Sequence, residues 1–215
     1  MHRAVRQFEV NIESARQLGI VQQAFEDKVT GAIPLDELLR AEIVLGVSAL
    51  DCYIHDIVRI RMTSVLAQPG GESNAFLNCS VSLDFVKKVL RATTAADRAA
   101  LFEQEVRRVH GFRTFQRAAS ISEALSLAGV QSLWDKVASH LGRRADDVKR
   151  ELDLVIERRN RIAHEGDIDP SAGFALKYPI DFATVQAAVD FIETVVHGIH
   201  SVVVSEASPQ SQLAD

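Results

Sequence analysis

Three side chains close to residue 160 have the chemistry that cleavage of a phosphodiester bond requires. His164 is a histidine, the residue type that most often takes up and returns a proton in catalysis. Arg159 stays charged, and its planar guanidinium matches the oxygens of a phosphate group. Asn160 lies four residues before His164, one turn away on a helix, where its amide could orient the imidazole or bind phosphate. RNA cleavage needs two proton transfers and positive charge on the phosphorane, and these residue types supply both.

A helix must position these side chains, and the apolar spacing predicts one from Asp146 or Asp147 to His164. Either aspartate is an acceptable N-cap, and Gly166 is a typical residue for the C-terminal stop. One face of this helix is apolar and consists of Leu152, Val155, Ile156, Ile162 and Ala163. Arg159 falls in the middle of that face, where an arginine is rare unless it is paired or functional.

The spacing of the arginine and the histidine leaves two interpretations open. Five residues correspond to about 500°, so Arg159 and His164 diverge by about 140° around an ideal helix. A distorted last turn, or a two-fold dimer axis beside the helix end, could bring the two groups together. In the structural alternative, Arg159 forms an internal salt bridge with Asp51 as the preferred partner, and His164 only interacts with the helix dipole. Arg158 lies off the apolar face and is the second candidate for the working arginine.

A second line of polar residues follows an earlier helix, which is predicted over residues 36–67. The members of this line are Ser48, Asp51, His55 and Arg59. Asp51 and His55 could share a metal ion, but a metal site needs three or four ligands and no further pair is evident. We therefore expect no metal and no cofactor. The line is expected to face the helix that carries Arg159, or a dimer cleft.

The hydrophobic periodicity predicts an all-α fold, an up-and-down helical bundle with a helical insertion. The core consists of two hairpins, at about residues 4–67 and 146–204. In the first hairpin, a helix over residues 4–29 turns near Thr30-Gly31 and packs against the helix over 36–67, which Gln68-Pro69-Gly70-Gly71 stops. In the second, a final helix over residues 181–204 follows the helix of Arg159.

The middle of the chain, about residues 72–142, is expected to be the insertion. Shorter helices are predicted over residues 80–90, 95–110, 120–128 and 131–141. Ser120-Ile121-Ser122-Glu123 fits a capping box, which predicts a helix start. Lone Trp134 is expected to pack in the core or the insertion. Residues 1–204 then form a single domain, and residues 205–215 a disordered tail.

Composition narrows the class of protein. The chain has 215 residues, of which 47% are apolar and 25% charged, as in an ordinary globular protein. Its formal net charge of −5 argues against a protein that coats nucleic acid without specificity, but it allows a local basic site. The start of the chain is charged rather than apolar, and the two cysteines have no metal-ligand spacing. We expect a cytoplasmic protein without a membrane partner.

The segment Arg159-Asn160-Arg161-Ile162-Ala163-His164, late in a long helix of a bundle, resembles the R-x4–6-H signature of the HEPN superfamily. Members often place asparagine directly after the arginine, as here. The wider block from Glu157 to Asp167, together with Ser48-Ala49-Leu50-Asp51-Cys52-Tyr53-Ile54-His55-Asp56, resembles the bacterial RiboL-PSP-type branch. The resemblance covers the two outer hairpins and does not extend to the middle segment.

The resemblance implies a HEPN-like fold and a metal-independent endoribonuclease that acts on RNA as a homodimer with a composite active site. Arg159 would then stabilise the scissile phosphate, His164 would assist proton transfer, and Asn160 would position both. The supporting or RNA-binding residues would be Asp51, His55, Arg158 and Arg161. Many members are toxins or antiviral effectors with an inhibitory or sensor partner, and others are inactive RNA-binding or protein-interaction modules. The tyrosine that one toxin branch carries two residues after the histidine is Gly166 here.

Overall fold

A computed structural model describes residues 1–28, 34–67 and 72–207 of the chain. In this part of the protein all regular elements are helices, apart from one isolated antiparallel bridge between Ile168 and Lys177. The helices are α1 (His2–Phe25), α2 (Asp36–Ala67), α3 (Asn74–Leu77), α4 (Leu83–Arg91), α5 (Ala95–His110), α6 (Ala118–Leu127), α7 (Leu133–Leu141), α8 (Ala145–Glu165) and α9 (Phe182–Glu206). The predicted all-α fold class is confirmed.

Three long helices form the centre of the bundle. Helix α1 runs antiparallel to α2, since the ring of Phe8 lies 6.0 Å from that of Tyr53 while Gly19 approaches the carboxylate of Glu42. Helix α9 packs against both. Where α2 meets α1 and α9, Gly46 allows close approach, because the position of a Cβ there would already lie 3.5 to 3.6 Å from side chains of both partners. Apolar side chains at helical spacing supply the buried faces of all three helices.

The middle helices belong to the same core rather than to a separate layer. Helices α5 and α6 pack against α2, and α7 packs against α8 and α9. One continuous cluster of buried side chains includes Phe102, Phe115 and Ile121 together with the residues of α2 and α9. Trp134 is buried, and its indole N–H donates to the carbonyl of Ala118 at 2.9 Å. The segment expected to be an insertion therefore supplies part of the packing around the end of α8.

Several helix ends differ from the prediction. Helix α6 begins at Ala118, so Ser120 lies in its first turn and the predicted capping box is wrong; the carboxylate of Asp153 accepts the Ala118 N–H instead. The predicted N-caps of α8, Asp146 and Asp147, lie in its first turn instead. Their negative charges there interact favourably with the positive end of the helix dipole.

The predicted stop of α8 is confirmed, whereas that of α9 is shifted. Gly166 ends α8 with φ of 64°, a conformation that glycine adopts without steric cost. Helix α9 continues through Glu206, two residues beyond its predicted end, and the rest of the expected disordered tail, 208–215, lies outside the described residues. The predicted turn at Thr30-Gly31 and the stop at residues 68–71 also lie outside them.

Helix α9 is long and apolar enough, by length and composition alone, to cross a membrane. Half of its most apolar window is buried inside the bundle. A core helix of a globular protein has the same composition, and α9 occupies such a position between α1, α2 and α7.

Candidate functional site

The end of α8 and the start of α6 enclose a cleft of about 490 Å³. The segment that joins α5 to α6, residues 111–117, forms one wall of this cleft. The lining residues are Thr114, Gln116, Arg117, Ala119, Ser120, Glu123, Ile156, Arg159, Asn160 and His164. All three residues predicted to be catalytic are therefore brought together in one cleft of a single chain.

A single face of α8 carries the predicted catalytic residues. Ile156, Arg159, Asn160 and His164 are spaced at three, four and eight residues, which places them on one side of the helix. Asn160 lies between Arg159 and His164, about 100° from the first and about 40° from the second. Arg159 and His164 diverge by about 140° around the helix, but the cleft is wide enough for both to line it.

The face of α8 that carries Arg159 forms the floor of the cleft and is not buried in the core. Ile156 is the last fully buried residue of α8, Arg159 is half-buried, and Ala163 and His164 are exposed. Val155 and Ile162 of the predicted apolar face are half-buried and pack against the core, so beyond Ile156 the face is only partly covered. Arg159 is placed among apolar neighbours because the helix emerges from the core at that point.

The expected salt bridge between Arg159 and Asp51 is not formed. One terminal nitrogen of the Arg159 guanidinium donates instead to the amide oxygen of Asn160 at 3.0 Å. Its Nε is buried and has no acceptor among the described residues. A buried donor without an acceptor costs free energy, so the cleft contains a cationic group whose hydrogen bonding is incomplete.

Asp51 stabilises the wall of the cleft. One carboxylate oxygen accepts the backbone N–H of Phe115 at 2.6 Å, and the other accepts the side-chain amide of Gln116 at 3.2 Å. The far side of Gln116 lines the cleft. Asp51 therefore does not line the cleft but contacts a residue that does. Its role is to hold the wall in place rather than to pair with Arg159.

His55 supports the same wall from below. Its Nε2 lies 3.2 Å from the carbonyl oxygen of Arg113, and its ring lies 4.6 Å from that of Phe115. The ring of His110 contacts the other side of Phe115 at 5.6 Å. Burial, together with the nearby guanidinium of Arg113 and the imidazole of His55, lowers the pKa of His110 below its ordinary value. A neutral His110 and a buried Phe115 thus anchor residues 111–117.

The first turn of α6 contributes positive potential to the cleft. Ala119 and Ser120 lie one turn into the helix, where backbone N–H groups have no helical acceptor and the dipole favours an anion. The exposed guanidinium of Arg117, at the N-cap position, makes no side-chain hydrogen bond or ion pair with any described residue. Glu123 is the one carboxylate in the described lining, and Arg113 pairs with it at 2.6 Å.

Arg158 and Arg161, predicted to support the site, lie on the face of α8 opposite the cleft. Arg158 donates to the buried carboxylate of Asp167 at 2.7 Å. The guanidinium of Arg161 lies 5.1 Å from the centre of the Tyr178 ring, and that of Arg158 lies 5.5 Å from it. Both arginines hold the loop after α8 against the helix. Arg158, the second candidate for the working arginine, therefore does not line the cleft.

The remaining polar line of α2 divides between two places. Arg59 pairs with Asp56 at 2.8 Å and with Glu103 of α5, in a groove away from the α8 cleft. His55 and Asp51 are 3.9 Å apart, and no group of three or more candidate metal ligands occurs among the described residues.

Sequence reasoning did not find the contribution of the middle segment. Arg117, Ser120 and Glu123 line the cleft, but their positions depend on contacts with α2 and α8 that leave no periodic signal in the sequence. The available indication was the pair of arginines, Arg113 and Arg117, that precede a predicted helix start, where cations are not favoured by the dipole.

Comparison of the chain with protein-family models, with curated proteins and with solved structures finds no match. The resemblance to the HEPN superfamily therefore depends on the motif and its position in a helical bundle.

Proposed function

We propose that this protein is a metal-independent endoribonuclease of the HEPN type that cleaves unpaired RNA by attack of the 2′-hydroxyl on the adjacent phosphate. The observation that supports the proposal is the convergence of Arg159, Asn160 and His164 on one cleft, beside Arg117 and the first turn of α6. Unpaired RNA is the favoured substrate class because in-line attack requires a backbone that is free to rearrange.

Each group of the cleft has a place in this reaction. The scissile phosphate binds between the guanidinium of Arg159 and the start of α6, where positive potential stabilises the dianionic phosphorane. Asn160 accepts a hydrogen bond from Arg159 and so holds the guanidinium towards the phosphate. His164 is exposed and free of side-chain partners among the described residues, so its imidazole can reach the substrate.

The proposed bond changes are those of an internal transesterification. His164 takes the proton of the 2′-hydroxyl, the 2′-oxygen bonds to phosphorus, and the bond from phosphorus to the 5′-oxygen breaks. The products are a 2′,3′-cyclic phosphate and a 5′-hydroxyl. The leaving oxygen needs a second proton donor, and the proposal assigns this role to the His164 of a second copy of the chain in a homodimer.

The test is cleavage of a single-stranded RNA in EDTA by the wild-type chain, Arg159→Ala and His164→Ala. Removing a general acid–base or a phosphate-binding group is expected to lower the rate by about 100-fold or more. His140→Ala is the matched control, since His140 is an exposed histidine of α7 in a different groove. Equal cleavage by all four proteins, or none by the wild type, would refute the proposal.

A second candidate function is a catalytically inactive module that binds RNA or a protein through the same cleft. One observation favours it: the described lining holds a single imidazole and a single carboxylate, and that carboxylate is already paired with Arg113. Such a module would bind RNA without cleaving it, and Arg159→Ala would then weaken binding alone.

A toxin or antiviral effector role, with an inhibitory or sensor partner, is part of the proposal. Growth after induced expression tests it. We expect the wild type to arrest growth and His164→Ala to relieve the arrest, at equal protein levels. Arrest by both proteins would mean that cleavage is not its cause.

A further inference from the structure

We propose that Phe112 is a stacking platform for an unpaired nucleobase of the RNA that enters the cleft. This inference rests on the proposed function, because it takes RNA as the ligand of the cleft. It names a substrate contact that lies outside the Arg159–His164 motif.

Phe112 is almost completely exposed, at 97%. A phenylalanine in that position gains nothing from the fold, since the hydrophobic effect favours its burial. Gly111, Arg113 and Thr114 beside it are exposed as well, and burial begins at the next residue. Phe115, three residues later, is 1% exposed, and Gln116 is 6% exposed. Phe112 is therefore the one apolar side chain of the exposed stretch 111–114 that precedes the buried anchor.

The position of Phe112 is close to the cleft. Thr114, two residues later, lines the cleft. Two residues of extended chain span at most about 7 Å, so the Cα of Phe112 lies within that distance of the lining. A nucleotide repeats along a single strand over a comparable length, so a base next to a bound phosphate can extend as far as residue 112.

The segment that carries Phe112 is held rigidly from beneath. Phe115 and Gln116 are bonded to Asp51, and the Arg113 N–H donates to the carbonyl of His110 at 2.9 Å. The Arg113 guanidinium lies 5.6 Å from the centre of the Phe115 ring and also binds Glu123. Because the residues that follow Phe112 are hydrogen-bonded to the helices beneath, less entropy is lost in ordering this segment upon binding.

An exposed aromatic ring beside a cationic cleft is the combination that binds single-stranded nucleic acid. Cationic groups bind the backbone, and every base has a face that can stack on an aromatic ring. The adjacent cations here are Arg117 and Arg159. Protein docking on Phe112 alone is less well supported, since the other fully exposed phenylalanine, Phe174, lies in the loop after α8 rather than in the wall of the cleft.

The test is binding of a fluorescent single-stranded 2′-O-methyl RNA, which lacks the attacking hydroxyl and is not cleaved. We expect Phe112→Ala to raise Kd by about 5- to 100-fold, the effect of losing one stacked base. Phe112→Trp keeps an aromatic face and should bind within about threefold of the wild type. Phe174→Ala, the matched control with the same exposure, should leave Kd unchanged.

An abasic version of the same oligonucleotide separates stacking from charge. The wild type should bind it as weakly as Phe112→Ala binds the full RNA, and Phe112→Ala should lose nothing further. Equal affinities of Phe112→Ala and the wild type for the full RNA would overturn the inference, as would equal losses in Phe112→Ala and Phe174→Ala. Binding without cleavage would refute only the nuclease.

Discussion

Asp167 is predicted to be the residue on which the end of α8 depends. Its side chain is fully buried, and a single carboxylate oxygen accepts from Arg40 at 2.8 Å and from Arg158 at 2.7 Å. Its backbone N–H bonds to the carbonyl of Arg161, and its own carbonyl accepts the N–H of Tyr178 at 2.8 Å. One residue thus joins α2, α8 and the loop that leads to α9.

The substitution Asp167→Asn tests the charge without changing the shape. Asp167 has φ of 60°, a left-handed conformation that asparagine adopts more readily than other residues with a side chain. Loss of the carboxylate leaves Arg40, whose side chain is 6% exposed, without its buried counter-charge. Breaking a buried pair in this way costs about 3–5 kcal/mol. Since Arg40 keeps a contact with Glu37 at 3.3 Å, we expect the lower end, about 3 kcal/mol.

The measurement is urea denaturation at pH 7, followed by circular dichroism, together with a thermal melt. For a chain of this size, a loss of about 3 kcal/mol corresponds to a fall in Tm of about 6–12 °C. Asp169→Asn is the control in the same loop, because the Asp169 carboxylate binds Ser171 without a buried counter-charge, so its loss should lower stability far less. If the two variants lost the same stability, the argument about the buried network would be wrong.

Two further predictions concern a buried acid and the cleft. Glu42 is fully buried, and one of its carboxylate oxygens has no hydrogen-bond partner among the described residues. Burial raises the pKa of this carboxyl above its ordinary value of 4.5. The protonated side chain therefore stabilises the fold at low pH, and this stabilisation is lost as the pH rises and the carboxyl ionises. Glu42→Gln should therefore be more stable than the wild type at pH 7 and equal to it near pH 4 in urea denaturation, and a pH-independent difference would refute this. Arg117→Ala should weaken binding of non-cleavable RNA by about tenfold and lower the slope of log affinity against log salt by about one, whereas Arg98→Ala on exposed α5 should do neither.

Local periodicity was sufficient to predict the long helices. Helix α2 was expected over residues 36–67 and occupies those residues, and α8 and α9 begin or end within two residues of their predicted bounds. Glycine at the end of α8 and aspartate at the start of α9 act as predicted, because capping depends on residues within one turn.

Side-chain partners across the fold were not predictable in the same way. Asp51 was expected to bind Arg159, but the wall at residues 111–117 lies against α2 and takes both carboxylate oxygens. The sequence contains no sign of this arrangement, because it depends on how the middle helices pack. The same reason explains why Arg117 and Glu123 were missed, although Arg159, Asn160 and His164 were identified from spacing and resemblance.

The most direct test of the central claim uses one RNA with a mapped cleavage site, incubated with the wild-type chain in EDTA. We expect cleavage that leaves a 2′,3′-cyclic phosphate and a 5′-hydroxyl, and we expect a single 2′-deoxy substitution at the mapped site to abolish it. Cleavage of the deoxy-substituted RNA at that site, or loss of all cleavage in the chelator, would contradict the 2′-hydroxyl mechanism assigned to Arg159 and His164.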